Sequence, residues 1–183
     1  MSSSPEALRV QICARYRKIE QTRMAGLPML NPALEVACFG FERQGEAARP
    51  LGVLVTPWCM NLMLLPGEGD DWSSRAVGEK QMITLPSGHY EFIHAEDAAL
   101  GRFASCSLFS PMAEFEDQAA ADATAEAVLQ ALFVDEHRAE NEREALAEAY
   151  RAPTPEETEP ENAEPDAPKT LSRRGFLTGG RAQ

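Results

Sequence analysis

The sequence predicts an α+β domain: a mainly antiparallel β-sheet packed by N- and C-terminal helices, followed by a disordered C-terminal tail. Three observations carry that expectation. An apolar stripe at helical spacing opens the chain, six short β-type runs follow, and helical spacing returns near residue 115. Most links between the β-type runs are too short to hold crossover helices, so neighbouring strands are expected to run antiparallel.

The first helix starts at Ser4-Pro5-Glu6. Ser is a good N-cap, Pro suits the first helical position, and an acid in the first turn complements the helix dipole. Leu8, Ile12, Tyr16 and Ile19 then form the inward stripe, with Arg9, Arg15, Arg17 and Lys18 on the other face. Gly26, Pro28, Asn31 and Pro32 end the helix and make a loop.

The six β-type runs are 34–43, 50–58, 59–65, 81–85, 88–94 and 102–109, punctuated by Gln44-Gly45, Pro66-Gly67 and Pro86-Ser87-Gly88. Val53-Leu54-Val55 and Leu62-Met63-Leu64-Leu65 lack polar alternation. Such runs fit central strands covered on both faces. Ser110 and Pro111 read as the cap and first residue of the closing helix, expected from Phe115 to about Tyr150. Phe115, Ala119, Ala123, Ala127 and Ala131 fall four apart, with Val128 and Leu132 beside them. Eleven acids and two arginines lie between Met112 and Ala149, the pattern of a solvated face.

Residues 1–150 form the expected folded body. Residues 151–169 are an acidic, Pro-rich linker: positions 153–168 hold five Pro, six Asp or Glu and no Lys or Arg. Such a segment has little apolar surface to offset its ordering entropy, so it is expected to be disordered. Residues 170–183 turn basic and partly apolar, the layout of a recognition peptide on a leash.

The 183 residues contain 17 Lys and Arg against 29 Asp and Glu, a formal charge of −12. Nucleic acid is not an expected partner, because phosphate attraction needs a basic surface. No run approaches the ~20 apolar residues of a bilayer-spanning helix, so stable membrane insertion is not expected. The opening residues lack the pattern of a secretory leader, and a cytoplasmic setting is the expectation.

Catalytic constellations are hard to assemble. Cys13, Cys38, Cys59 and Cys106 include no C-x-x-C pair, so a closed zinc or iron–sulfur site is not expected. His89 and His94 are five apart on one strand and point to opposite faces. Gly67-Glu68-Gly69 lacks the lysine and third glycine of a phosphate loop. His94-Ala95-Glu96-Asp97 reads as a solvated loop. An enzyme needs a convergent nucleophile, base and charge stabiliser, and none is expected here.

Two stretches stand out. In Thr56-Pro57-Trp58-Cys59-Met60-Asn61-Leu62-Met63-Leu64-Leu65-Pro66, Pro57 interrupts a long strand and demands an edge or a bulge. Adaptable Met and large Trp suit binding of another chain, and a core strand is the plainer reading. Ser105-Cys106-Ser107-Leu108-Phe109-Ser110-Pro111-Met112 mixes hydroxyls with apolar residues at a strand-to-helix junction.

Five ordered blocks span residues 31 to about 116: Asn31-Pro32, Gly52-Val53-Leu54-Val55-Thr56-Pro57-Trp58, Asn61-Leu62 with Leu65-Pro66, Leu85-Pro86-Ser87-Gly88, and the stretch from Ser105 to Met112. The body resembles the HybE/HupJ/HoxT-type nickel–iron hydrogenase assembly chaperones. Cys59 departs from the family pattern, where a larger apolar residue is expected, which argues against a redox role for it. The resemblance implies a non-enzymatic protein without a cofactor, acting in maturation of an uptake hydrogenase. Its implied partner is the small subunit precursor with its twin-arginine signal peptide, held back from export until assembly is complete. The large subunit precursor and other hydrogenase accessory proteins are further implied partners. The partner-binding residues it suggests are Thr56, Pro57, Trp58, Met60, Asn61 and Leu62 on one stretch, and Cys106, Ser107, Phe109, Ser110 and Pro111 on the other. The alternative is a thiol-dependent redox or cluster-protecting factor using Cys106.

In this light Ser172-Arg173-Arg174-Gly175-Phe176-Leu177 gains meaning. It is a near match to the core of a twin-arginine export signal. Only nine residues follow Arg174, too few for the apolar segment such a signal needs. The expected roles are mimicry of the client's signal or recruitment of the export machinery. Residues 1–152 carry ten of the twelve net negative charges, which favours encounter with a basic signal region.

Overall fold

A computed structural model of the protein describes residues 4–134. Its elements follow the order α1 (Pro5–Thr22), β1 (Ala37–Gln44), β2 (Arg49–Val55), β3 (Met60–Leu64), β4 (Lys80–Leu85), β5 (Gly88–Asp97), β6 (Gly101–Phe109) and α2 (Gln118–Ala131). The six strands form one sheet in the order β1-β2-β3-β6-β5-β4, and every pairing is antiparallel. The α+β reading holds. The expected tail and the region beyond residue 134 lie outside the described residues.

Each helix covers one face of the sheet. On β2 the side chains of Leu51, Val53 and Val55 join Ala121 and Ala125 of α2 in the larger core. Leu54, from the same strand, joins Ile12 of α1 in the smaller one. On β3 the same division separates Leu62 and Leu64 from Met63. Strands with helices on both sides need apolar residues at every position, which is why β2 and β3 show no alternation.

The first helix starts as expected, with Ser4 Oγ accepting from the Ala7 amide at 3.2 Å. Ile12 is fully buried, and Leu8 and Tyr16 pack beside it. The basic face is less solvated than expected. Arg15 holds Asp97 in a two-pronged ion pair, with Nε 2.8 Å from Oδ1 and Nη2 2.6 Å from Oδ2. Arg9 and Arg17 donate to the carbonyls of Gly40 and Val36. Their heads thus reach carbonyls of β1 and of the residue just before it. Asp97, expected in a solvated loop, ends β5 instead and is further held by the Ala99 and Leu100 amides.

The second helix differs from the expectation in three ways. It begins at Gln118, not Phe115, and its N-cap is Asp117, whose side chain accepts from the Ala120 amide at 2.8 Å. Ser110 and Pro111 do not start it; they are joined by a cis peptide bond in the preceding loop. The buried row is Ala121, Ala125 and Leu132, whereas Ala119, Ala123 and Ala127 are exposed. Alanine is too small and weakly apolar to define a buried face, so the larger Val128 and Leu132 were the better guides.

Between β1 and β2 the backbones approach closely. A bulge between Gly40 and Glu42 reverses the alternation, sending Phe39 to the α2 face and Phe41 to the α1 face. The Phe41 ring lies over Gly52, where an added Cβ would stand 2.4 Å from its Cδ2. Only glycine fits at position 52.

Candidate functional site

Three of the sequence blocks meet at one end of the sheet. The first is the link between β2 and β3. Thr56 and Cys59 close a tight turn over Pro57 and Trp58: the Thr56 amide donates to the Cys59 carbonyl at 2.9 Å. Thr56 Oγ1 donates to the same carbonyl at 2.8 Å and accepts from the Cys59 amide at 2.9 Å. Pro57 therefore sits in a hairpin turn, not at a strand edge or bulge. Its missing N–H costs nothing there.

The second block, Asn31-Pro32, is the hub. The Asn31 amide nitrogen of the backbone donates to the Pro57 carbonyl at 2.8 Å. Its side-chain Nδ2 donates to the carbonyls of Met112 (3.0 Å) and Phe115 (2.8 Å). Its Oδ1 accepts from the Ala33 amide at 3.0 Å. One asparagine thus ties the hairpin, its own loop and the end of the third block, from Met112 on to Phe115, into one unit. Asn is suited to this because its side chain offers two donors and an acceptor. Sequence reading put Asn31 in a motif and not in the site; a loop Asn followed by Pro was the available signal.

These segments frame a cleft of about 480 Å³ lined by Pro28, Met29, Leu30, Pro32, Pro111 and Phe115. Met29 is half exposed. Phe115 is braced edge-on by Phe109, with ring centroids 5.3 Å apart. Rigid proline walls, one aromatic ring and an adaptable methionine suit an apolar peptide segment. Glu114, Glu116 and Asp117 stand exposed beside it. A second cavity of about 390 Å³, lined by Leu8, Arg43, Glu68, Leu100 and Arg102 among others, lies at the opposite end of the sheet.

The expected binding residues divide by exposure. Met60 and Leu62 are fully buried in the larger core, and Thr56 and Pro57 are buried in the turn. These four shape the site without offering it surface. Trp58, Asn61, Cys106 and Phe109 are half-buried, and Ser107, Ser110 and Pro111 are exposed. Asn61 and Ser107 are direct cross-strand partners. The segment Ser172, Arg173, Arg174, Phe176 and Leu177 lies outside the described residues.

The thiols are all free. Burial pushes the Cys106 thiol up, and Glu91 adds to this. Burial also raises Cys59, against hydrogen bonds from Thr56 and Asn61. A raised thiol holds less of the reactive thiolate at neutral pH. Nothing in the residue spacing pointed to the pairing of Cys13 on α1 with Cys38 on β1. Cys38 hydrogen-bonds Cys13 and, with Arg17, holds its thiol down at about 7, while Cys38 itself is pushed up by that bond and by burial. Among the described residues no group of three or more His, Cys, Asp or Glu is placed to hold a metal ion. Nor is any described helix long and apolar enough to cross a membrane. His94, on the face opposite His89, is buried against the edge of Trp72 and bonded through Nε2 to Gln81 at 2.8 Å.

Comparison with known proteins gives the family of the chain. The family model for the NiFe-hydrogenase assembly chaperone HybE matches residues 7–179. The hydrogenase expression/formation protein HupT of Azotobacter chroococcum mcd 1 is 50% identical over 127 residues, 69% of this chain and 83% of that one. HupJ of Bradyrhizobium diazoefficiens, also named a hydrogenase expression/formation protein, is 40% identical over 168 residues, 92% of this chain and 85% of the other. A Rhodobacter capsulatus protein named "Probable rubredoxin HupJ" is 41% identical over 140 residues; the match spans 76% of this chain and half of that longer one. The solution structure of HybE from Escherichia coli shares the fold, with a TM-score of 0.58 at 23% identity, covering 100% of this chain and 94% of that one. The chain therefore belongs to the HybE family of NiFe-hydrogenase assembly chaperones.

Proposed function

We propose that this chaperone binds a NiFe-hydrogenase subunit precursor at the Asn31 end of the sheet. The client is the small subunit, engaged through its twin-arginine signal peptide and held from export until assembly is complete. One observation carries the reading: three separate motif segments converge, through Asn31, on an apolar cleft with exposed acids beside it. A twin-arginine signal joins basic and apolar residues, which complement carboxylates and a proline-walled cleft. The role is that of a holder, which needs no chemistry beyond binding. The expected setting is the cytoplasm, where precursors are assembled.

The test is a calorimetric titration of a synthetic small-subunit signal peptide into the full chain and into Met29→Asp. The peptide should bind the full chain, and a charge at position 29 should weaken it by about tenfold, ~1.4 kcal/mol. Absence of binding to the folded full chain overturns the signal-peptide reading and moves the client to a folded precursor or the large subunit. A chain ending at Pro168 serves as control for the tail. Tighter peptide binding by that chain assigns residues 172–177 as a competitor of the client; unchanged binding with poorer export assigns them to recruitment.

A further inference from the structure

Cys13 and Cys38 are brought together by the way α1 lies on β1. Arg9 Nη1 donates to the Gly40 carbonyl at 2.9 Å, and Arg17 Nη2 donates to the Val36 carbonyl at 3.3 Å. Helix numbers rise as strand numbers fall, so α1 runs antiparallel to β1. Cys13 is midway between the two arginines, four residues from each, on the same line of the helix. Cys38 is midway between the two acceptors, two residues from each, and turns to α1 with Val36 in the smaller core. Four helical residues advance ~6 Å and two strand residues ~6.6 Å, so the two midpoints coincide. There the cysteines pack against the same core and hydrogen-bond each other.

The surroundings suit a reactive pair. Both thiols are half-buried, and neither is sealed in the core. Arg17 acts on both and Arg9 on Cys38, and nearby cations favour a thiolate. The two sulfurs are unequal. Cys13, held at about 7, carries much of its thiolate at neutral pH, while Cys38 is pushed up and keeps its proton. By contrast, Cys59 is bonded to Thr56 and Asn61, and burial raises both it and Cys106. The segment between the paired cysteines, residues 14–37, contains Asn31 and the cleft residues Met29 and Pro32.

We propose that Cys13 and Cys38 are a peroxide-oxidisable pair that closes to a reversible disulfide, stapling α1 to β1 around the segment that carries Asn31. In the first step the Cys13 thiolate attacks one oxygen of hydrogen peroxide. An S–O bond forms, the O–O bond breaks, and the leaving hydroxide takes up the proton that Cys13 had released. The Cys13 sulfur is now a sulfenic acid, oxidised by two electrons, and the peroxide is reduced. In the second step the Cys38 sulfur attacks the sulfenic sulfur. The S–S bond forms, the S–O bond breaks, and the departing hydroxide leaves as water with the Cys38 proton. In sum, two thiols and one peroxide give one disulfide and two waters. A dithiol reductant restores both thiols by exchange. Because a cross-link chiefly constrains the unfolded chain, the oxidised fold should resist unfolding better.

The experiment treats the freshly reduced full chain with a small excess of hydrogen peroxide at pH 7.5. Trypsin places Cys13 in the peptide Val10–Arg15 and Cys38 in the peptide Met24–Arg43. Mass spectrometry without reductant should find these two joined, and dithiothreitol should separate them. In Cys38→Ala, capture of the Cys13 sulfenic acid by dimedone should rise by about tenfold over the parent, where Cys38 consumes it. Oxidation of the parent should raise its thermal midpoint by about 5 °C or more. Should Cys38→Ala not fold, Cys38→Ser replaces it, and the joined peptides of the parent decide the pairing by themselves. Oxidation first at Cys59 or Cys106, a disulfide between two copies of the chain, or a parent Cys13 that stays reduced or stops at the sulfenic or sulfinic acid overturns the pair. A midpoint unchanged or lowered by oxidation overturns the staple.

Discussion

Asn31 Nδ2 donates to the Met112 carbonyl across 3.0 Å, joining residues 81 positions apart. The second hydrogen of the same group reaches Phe115. Both acceptors are backbone carbonyls, so the geometry selects for an amide. Asn31→Ala should lower stability by about 1–3 kcal/mol, since it leaves partly buried groups unpaired. Asn31→Asp should be worse, because a carboxylate would face two carbonyl oxygens. Thermal denaturation of the two variants beside the parent tests the order. Equal melting temperatures for all three would remove Asn31 from its place as hub.

Gly52 is fixed by the Phe41 ring and the Phe39 carbonyl, which would stand 2.4 and 2.5 Å from an added Cβ. Gly52→Ala should therefore destabilise by about 1–3 kcal/mol or more through overpacking. Urea unfolding measures it. A midpoint equal to the parent's would mean that the sheet relaxes there freely.

His94 gives a pH dependence. Burial, reinforced by Arg75, lowers its folded pKa below the usual 6.5. Above that value both folded and unfolded chains hold a neutral ring, and stability is unaffected. As pH falls through about 6.5 the unfolded chain takes up the proton first, so stability drops. Urea midpoints at pH 7.5 and 5.5 should show the loss, and His94→Gln should flatten it. A parent whose His94 ring is seen by NMR to protonate above pH 6.5 would reverse the sign.

Cys13 should be the fastest thiol to alkylate. Its neighbour Cys38 and Arg17 hold it at about 7, while burial raises Cys59 and Cys106. Limited iodoacetamide treatment at pH 7.5 followed by peptide mass spectrometry ranks all four. Cys38→Ala should slow Cys13 by removing the hydrogen bond that stabilises its thiolate. Preferential labelling of Cys106 would instead revive a thiol-based role for that residue.

Much of the fold was legible. The capped start of α1, its Leu8–Ile12–Tyr16 stripe and the six strands follow from local residue patterns. The central place of β2 and β3 was readable because their apolar runs do not alternate. The start of α2 was misread at Ser110-Pro111, since a Ser-Pro pair serves a loop as readily as a helix cap. Of the residues expected to bind, only Pro111 lines the cleft, and the Asn31 hub that joins its walls was read as a motif alone. Met60 and Leu62 looked like contact residues and are core. Apolar character alone does not say which side of a sheet has a helix upon it.

Residue order by itself determined the element types, the antiparallel sheet and the motifs that mark the family, because these depend on spacing within a few turns or strands. The tertiary structure alone decided that Asn31 meets Met112 and that Cys13 meets Cys38. Those pairings join residues far apart in the chain. They are set by how the two helices bury apolar surface on opposite faces of one sheet.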